Sequence, residues 1–422
     1  MALRKPRHPK AASARSGGEP VRARPLADSV LRLIWQERAI SRAEIARRAD
    51  LSRSTVSEVV DTLLPTGLVS EGGPGESIGG RRPIVLNFED EACVILGAEM
   101  GASHVAVVMT DLRGRVLHWE RRDHPVRTDP EGTRKAISEL CEAALRSRKG
   151  AAQKLVGIGV AVASPVDPQH PFALSEVVLP VWKGASGLEA LEARFGVPVM
   201  VDNDANLGAL AEHWWGAGRG VHHFAYVKVG TGVGSGHVIG GEVYRGATGF
   251  AGEIGHLSID PNGEPCICGL RGCLAMHVGS PALIKRANNL LGEYAGSALA
   301  KGKITMAAIE QAALAGDALA VRVTREAAEY LGIAVAGMLN LMNPSVVVVG
   351  GGITELGDRF LEPLRETVRQ RTRVSASTGH TILMSELGPQ TVAVGAASLV
   401  LKEALANPRL FPIGNGGERS AR

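Results

Sequence analysis

Residues 41–64, SRAEIARRADLSRSTVSEVVDTLL, restrict the fold of this chain more than any other stretch. They contain two helix starts in close succession. Ser41 is placed to cap the first helix, with Glu44 three residues on, the spacing of a capping box. Ile45, Ala46 and Ala49 then form a short apolar stripe, and small Ala46 permits close approach of a neighbour. Asp50-Leu51 interrupts the pattern, and Asp accepts a left-handed turn conformation better than most residues. Ser52 can cap a second helix, in which Val56, Val59, Val60 and Leu63 recur at helical spacing and face one side. Arg53, Ser54, Thr55 and Ser57 are left near the exposed N-terminal end. A preceding helix is predicted over Leu26–Glu37, through Val30, Leu31 and Ile34.

The next segment narrows the choice. Leu68-Val69-Ser70 and Pro83-Ile84-Val85-Leu86 read as short strands around a glycine-rich loop that ends in Arg81 and Arg82. A hairpin of this kind presents its arginines to phosphates or to a narrow minor groove. The plainer alternative is a helical hairpin followed by a Gly-rich linker. The two capped helices, the turn and the basic loop together predict a winged helix-turn-helix. Its second helix would enter the major groove of DNA through Arg53, Ser54, Thr55 and Ser57. One such module makes few base contacts, so a homodimer or homotetramer on an inverted-repeat operator is expected.

Charge is placed unevenly. Residues 1–27 hold seven Arg or Lys against the single acid Glu19, so the formal net charge of +4 comes entirely from this segment. It reads as a disordered basic tail, either touching phosphates or merely solvated. At 422 residues the chain exceeds one ordinary core, so two or three domains are expected. No apolar run reaches the ~18–20 residues of a membrane helix, and no apolar segment follows the basic N-terminus as in a signal peptide. A cytoplasmic protein with no membrane partner is the expectation.

From about residue 93, strands alternate with helices, an α/β signature. Strands are predicted at Cys93–Ala98, His104–Thr110, Val116–Trp119, Leu155–Val162, Val197–Val201, Phe224–Val229 and Ser345–Val349. Helices are predicted at Asp129–Arg148, Ala205–Trp215 and Arg322–Met342. Four motifs carry chemistry. Glu99-Met100-Gly101-Ala102-Ser103 is a turn whose backbone N–H groups suit a phosphate, or is only a turn. Asp202-Asn203-Asp204-Ala205-Asn206 gathers polar groups where a strand passes into a helix; Asp204 suits a general base, and N-capping is the alternative. Gly230-Thr231-Gly232-Val233-Gly234-Ser235-Gly236 permits close approach to phosphate, or makes a hairpin. His256, Cys266, Cys268 and Cys273 form a Cys3His set suited to structural Zn2+, with free buried cysteines as the alternative.

These residues resemble the ROK family (repressors, open reading frames and kinases), and specifically its regulator branch, over roughly residues 28–404. The DNDAN stretch, Gly249–His256 and the CxCGxxGC element stand in family order and spacing. The resemblance implies an α/β fold: an N-terminal winged helix-turn-helix followed by a two-lobed, actin-like, sugar-kinase-like ATPase domain. It implies that Asn203, Asp204, Glu253 and His256 bind a sugar or sugar derivative. Asp204 would be the catalytic base in a kinase, and His256 would divide its ring nitrogens between zinc and ligand. Gly101, Gly230, Thr231, Gly232, Gly350 and Gly351 would be phosphate-loop remnants, with ATP and Mg2+ needed only if kinase activity remains.

Two departures from the kinase pattern stand out. Glu99 and Ala102 replace the Asp and second Gly of the first phosphate loop, and Ala275 replaces a sugar-binding Glu. They favour a repressor of carbohydrate-related genes that senses a sugar without phosphorylating it. An active sugar kinase carrying a DNA-binding domain is the alternative, and a vestigial dimerisation scaffold a third. The expected organisation is a basic tail at 1–27 and the DNA-binding domain at 28–88. One lobe would occupy 89–205, a second lobe 206–404 with the zinc site and C-terminal helix, and a flexible tail 405–422. A sugar bridging Asn203/Asp204 and Glu253/His256 is expected to draw the two lobes together.

Overall fold

A computed structural model describes residues 24–74, 84–374 and 381–412. The chain divides into two compact units, Met1–Glu89 and Asp90–Arg422.

The first unit contains α1 (Arg24–Glu37), β1 (Ala39–Ser41), α2 (Arg42–Arg48), α3 (Arg53–Leu63), β2 (Val69–Pro74) and β3 (Ile84–Phe88). The predicted caps, the turn and the buried stripe of α3 have physical counterparts. Ser41 Oγ accepts from Glu44 N and Ser52 Oγ from Thr55 N, so both serines are N-caps. The reciprocal half of the capping box does not form, because the Glu44 carboxylate accepts from Arg47 and Arg48 instead. Asp50 makes the turn at φ 52°. Val56, Val59, Val60 and Leu63 are buried with Ile45, Ala46, Val30, Leu31 and Ile34, which packs the three helices around one apolar centre. The three strands form an antiparallel sheet in the order β1-β3-β2. Arg42 ties the sheet to the helices, donating to Glu71 at 2.6 Å and to Asp61 at 3.3 Å.

The second unit begins with β4 (Val94–Met100), β5 (His104–Thr110), β6 (Val116–Asp123), α4 (Pro130–Arg146), β7 (Leu155–Val162), α5 (Ala190–Phe195), β8 (Val199–Asn203) and α6 (Asp204–Trp215). It continues with β9 (His223–Val229), β10 (Val233–Ile239), β11 (Glu242–Tyr244), α7 (Ala275–Val278), α8 (Ser280–Leu290), α9 (Met306–Leu314) and α10 (Ala318–Met342). It ends with β12 (Val346–Gly351), α11 (Asp358–Arg371), β13 (Thr381–Met384) and α12 (Thr391–Ala406). Two five-stranded sheets result, ordered β6-β5-β4-β7-β8 and β11-β10-β9-β12-β13. In each, the first three strands run antiparallel and the last two join in parallel, so the second sheet repeats the topology of the first.

Small residues let helices lie directly on these sheets. A Cβ at Gly159 of β7 would stand 1.9 Å from the Ala396 carbonyl of α12, and one at Gly236 of β10 would stand 2.3 Å from the Ala205 carbonyl of α6. The two helices meet where a Cβ at Gly395 would come within 1.8 Å of the Leu207 carbonyl. α6 therefore packs on the second sheet, α12 on the first, and the pair joins the halves. The strands that α12 contacts are β4, β5, β7 and β8, although it follows the second sheet in sequence. α12 is buried on nearly every face, from Thr391 through Leu405, which explains its almost wholly apolar sequence.

Candidate functional site

In the first unit, Arg53 and Ser54 are exposed on the opening turn of α3, and Thr55 and Ser57 are half-buried. The hydroxyls there form one cluster: Ser52 Oγ lies 2.8 Å from Ser54 Oγ and 2.7 Å from Thr55 Oγ1. Capping thus fixes the orientation of the groups that α3 offers outward. Arg81 and Arg82 lie outside the described residues.

In the second unit a cavity of about 750 Å3 opens between the β4–β5 turn, the start of α6, the β9–β10 turn and the loops before α7 and after β12. Asn203, Asp204, Glu253 and His256 all line it, so the sequence-predicted ligand residues converge. Gly230, Thr231, Gly232 and Gly351 also line it. Gly101 and Gly350 do not. Gly101 N donates to His104 O to close the β4–β5 turn, and a Cβ at Gly350 would strike Tyr226.

Asn203 realises the capping alternative while facing the cavity. Its Oδ1 accepts from Ala205 N at 2.9 Å and Asn206 N at 3.1 Å, and its Nδ2 donates to Ser164 O at 3.1 Å. Asp202 is buried, and Arg245 donates to its Oδ2 from Nε at 2.9 Å and from Nη2 at 2.5 Å. The Arg245 carbonyl in turn accepts from Ala251 N at 3.2 Å. The segment before Asp204 and the segment before Glu253 are therefore anchored to one residue.

A lysine that no sequence motif marks occupies the centre of the site. Lys228 Nζ on β9 donates to Asp204 Oδ2 at 2.6 Å and to Glu99 Oε1 at 3.0 Å. Burial pushes Glu99 upward, but Lys228 and His104 outweigh it and hold the carboxyl at about 2. Burial lowers Lys228, and the attraction of Asp204 and Glu99 reverses that, so the ammonium persists. Glu253 moves the other way: burial, with the Asp204 charge nearby, raises it to about 7. The available signal for Lys228 was a single charge within the apolar strand HFAYVKV. Tyr226 of the same strand lines the cavity, and its buried hydroxyl has no hydrogen-bond partner among the described residues.

Beside the cavity, one ligand atom from each of His256, Cys266, Cys268 and Cys273 lies within 4.8 Å of all the others, a set able to hold a metal ion. His256 turns Nδ1 toward this cluster, at 3.5 Å from Cys266 Sγ. Burial lowers the His256 pKa and favours the neutral ring that a metal requires. Short backbone bonds brace the loop, Ile259 N to Gly272 O and Leu274 N to Leu257 O, both at 2.8 Å. Cys93 and Cys141 are buried elsewhere.

Comparison with known proteins places this architecture. The model of the ROK family matches residues 95–403. The chain belongs to the ROK family. The MarR family model matches residues 29–70, the helix-turn-helix region. Among curated relatives, the xylose repressor of Caldicellulosiruptor bescii is 31% identical across 90% of this chain and 96% of its own length. The N-acetylglucosamine repressor of Escherichia coli O157:H7 is 32% identical across 90% of this chain and 92% of its own. A solved ROK family transcriptional regulator, a homologue of the E. coli MLC protein, superposes with a TM-score of 0.77 at 26% identity, covering 92% of this chain and 98% of that one. A ROK family glucokinase from Streptomyces griseus, solved with glucose and AMPPNP, gives 0.66 at 30% identity over 72% of this chain and 98% of that one. The regulators thus match both units, and the glucokinase a share smaller than the second.

Proposed function

We propose that this protein is a cytoplasmic, DNA-binding transcriptional repressor of carbohydrate genes, relieved or tuned by a sugar held in the cavity of its second unit. The carrying observation is that one chain joins a capped helix-turn-helix, with its recognition turn exposed, to a cavity where Asp204, Glu253 and His256 converge. Carboxylates and an imidazole facing one cavity are the groups that orient sugar hydroxyls. The two curated repressors compared above, each matching across 90% of this chain, are named for sugars. DNA contact would come through Arg53, Ser54, Thr55 and Ser57, with Arg81 and Arg82 on the wing, and the working form would be a homo-oligomer on an inverted repeat.

The metal site is proposed to hold structural Zn2+. Three thiolates and one imidazole make a soft tetrahedral donor set, and Zn2+ there would fix the loop that presents His256. Nδ1 then serves the metal and leaves Nε2 for the ligand. Two segments of the candidate ligand site would be preassembled, because Arg245 anchors both.

The test is an operator titration with and without the sugar that most raises the melting temperature in a screen. Asp204→Asn and Glu253→Ala should abolish the sugar response and leave sugar-free DNA binding intact. Variants that respond like the parent would show that the effector binds elsewhere. The second reading, an ATP-dependent sugar kinase with a DNA-binding domain, draws on Asp204 and on Gly230–Gly232 lining the same cavity. Sustained sugar-dependent ATP turnover would establish it.

A further inference from the structure

Lys228 reaches from the second sheet across the floor of the cavity. Its partners come from two other elements: Glu99 near the end of β4 in the first sheet, and Asp204 on the first turn of α6. All three side chains are nearly enclosed, at 15%, 4% and 12% exposure for Lys228, Glu99 and Asp204. Two carboxylates converging with so little exposure need a cation, because an uncompensated buried charge is strongly destabilising. A proton, a divalent metal or a basic side chain can provide it. Here an ammonium does so by direct hydrogen bonds to both.

This arrangement does not fit Mg2+ on the same carboxylates. Mg2+ demands oxygens at about 2.0–2.1 Å in near-octahedral order, from one or two carboxylates together with phosphates. The ammonium already stands at 2.6 Å from Asp204 Oδ2 and 3.0 Å from Glu99 Oε1, in the space between them. A divalent ion bridging these oxygens would press against a fixed positive charge. An ammonium, moreover, has three donors. Two are spent on Glu99 and Asp204. Among the described residues no third acceptor takes the remaining one, and the group lines the cavity.

We infer that Lys228 is the resident cation of this cleft, taking the place of a divalent metal between Glu99 and Asp204 and offering its remaining N–H to an oxygen of the ligand. The site then binds a polyhydroxy compound without metal. A metal–nucleotide complex is disfavoured because its cation's place is filled. The ligand part of this inference rests on the proposed sensing of a sugar in the cavity. The metal part stands independently of it.

The experiment uses the full-length protein with its own metal retained and Mn2+ as the probe, read by loss of the free-ion electron paramagnetic resonance signal. The wild type should show no Mn2+ binding that Asp204→Asn removes. Lys228→Met has similar length and no charge. It should acquire a Mn2+ site at least ~10-fold tighter than any in the wild type, and Lys228→Met/Glu99→Gln should lose it again. Should Lys228→Met prove unfolded, added Mn2+ should restore its folding, since the metal would neutralise the same carboxylates. Mn2+ binding by the wild type that depends on Asp204 would overturn the inference. So would a folded Lys228→Met protein that gains no site, or an unfolded one that Mn2+ fails to rescue. In a parallel arm, Lys228→Met should lose the sugar-induced rise in melting temperature. If the wild type itself shows no such rise with any sugar, the sensing proposal fails while the Mn2+ result still decides the role of Lys228.

Discussion

Gly252→Ala offers a sharp way to separate ligand sensing from folding. Gly252 sits at φ +100°, and a Cβ there would meet the Ser235 carbonyl oxygen at 1.9 Å. Ordinary contact begins near 3.4 Å, so the loop must retreat from β10 by about 1.5 Å. That retreat strains the 2.8 Å bond from Ser235 N to Gly252 O and the 3.1 Å bond from Ser235 Oγ to the same oxygen. A left-handed conformation costs a non-glycine residue ~1–2 kcal/mol, and each weakened bond ~0.5–1.5 kcal/mol. The total, about 2–5 kcal/mol, is a large loss for a local segment, and it falls within the second unit. Glu253 follows directly and would move with the loop. Losing one hydrogen bond to a charged or strongly polar group costs ~1.5–3 kcal/mol, or ~10- to 150-fold in sugar affinity. The assay is the sugar-induced shift in melting temperature, run beside an operator titration. Gly302→Ala is the control, because that glycine is extended and a Cβ added to it would have no heavy atom within 4 Å. Gly252→Ala should lose most of the sugar shift and keep operator binding, whereas Gly302→Ala should keep both. A Gly252→Ala protein with the parental sugar shift would refute the placement of Glu253 in the ligand site.

Three further outcomes are expected. Ser52→Ala removes the cap on α3 and should cost ~1 kcal/mol of stability along with operator affinity, whereas Arg53→Ala should lower operator affinity by ~1–3 kcal/mol at an unchanged melting temperature; equal operator binding by Arg53→Ala and the parent would contradict the assigned face. Cys268→Ser should reduce the zinc found by elemental analysis of freshly purified protein, and Cys141→Ser should not, since Cys141 is buried in α4 away from the cluster. Glu310, raised to about 7 by burial and by Glu355, is a proton-binding group of the folded state; its contribution is full below the usual carboxylate value near 4.5 and is lost as pH climbs through about 7. Glu310→Gln should therefore raise the melting temperature at pH 8 relative to the parent and change it little at pH 4, and equal effects at both pH values would show that Glu310 is not burdened by its charge.

Much of the local structure was legible because it is decided by neighbours in sequence. The caps at Ser41 and Ser52, the left-handed Asp50 and the buried stripe of α3 follow from side-chain chemistry within a few residues. β1 was not legible: Ala39–Ser41 is three residues long, ends on the cap of α2, and becomes a strand only by pairing with β3. The repeated sheet topology was likewise hidden, since it is a repetition of strand order among apolar segments and not of residues. α12 follows the second sheet in sequence yet packs on the first. Its small residues Ala393 and Ala396 register that packing, but they name no partner by themselves. The ligand site shows the same division. Asn203, Asp204, Glu253 and His256 stand in recognisable motifs, whereas Lys228 gains its meaning from Glu99, 129 positions away.

The bonds of Arg245 bear on where a ligand-driven motion of the proposed sensor would lie. The motifs alone suggest Asn203 and Asp204 on one side of the cleft and Glu253 and His256 on the other, so that a sugar bridging them would draw the lobes together. Arg245 makes that arrangement a poor hinge. Its guanidinium holds Asp202 and its carbonyl holds Ala251, so the two segments are braced to a common residue before any ligand arrives. A ligand shifts a conformational equilibrium only through interactions that differ between the two states, and contacts within a braced assembly differ little. In the proposed sensor the differential contacts would then come from the other wall, the β4–β5 turn with Ala102, Ser103 and His104, which also lines the cavity. The side-chain tie from that wall to the site is Glu99 to Lys228, with His104 Nε2 3.5 Å from the same Glu99 oxygen. An oxygen of the ligand that takes the remaining N–H of Lys228 would redistribute its bonds to Glu99 and Asp204. The coupling between sugar and DNA would therefore run through the strand end that carries Glu99, and Glu99→Gln should weaken the DNA response to sugar more than it weakens sugar binding itself. An equal loss of both would instead make Glu99 an ordinary part of the ligand pocket.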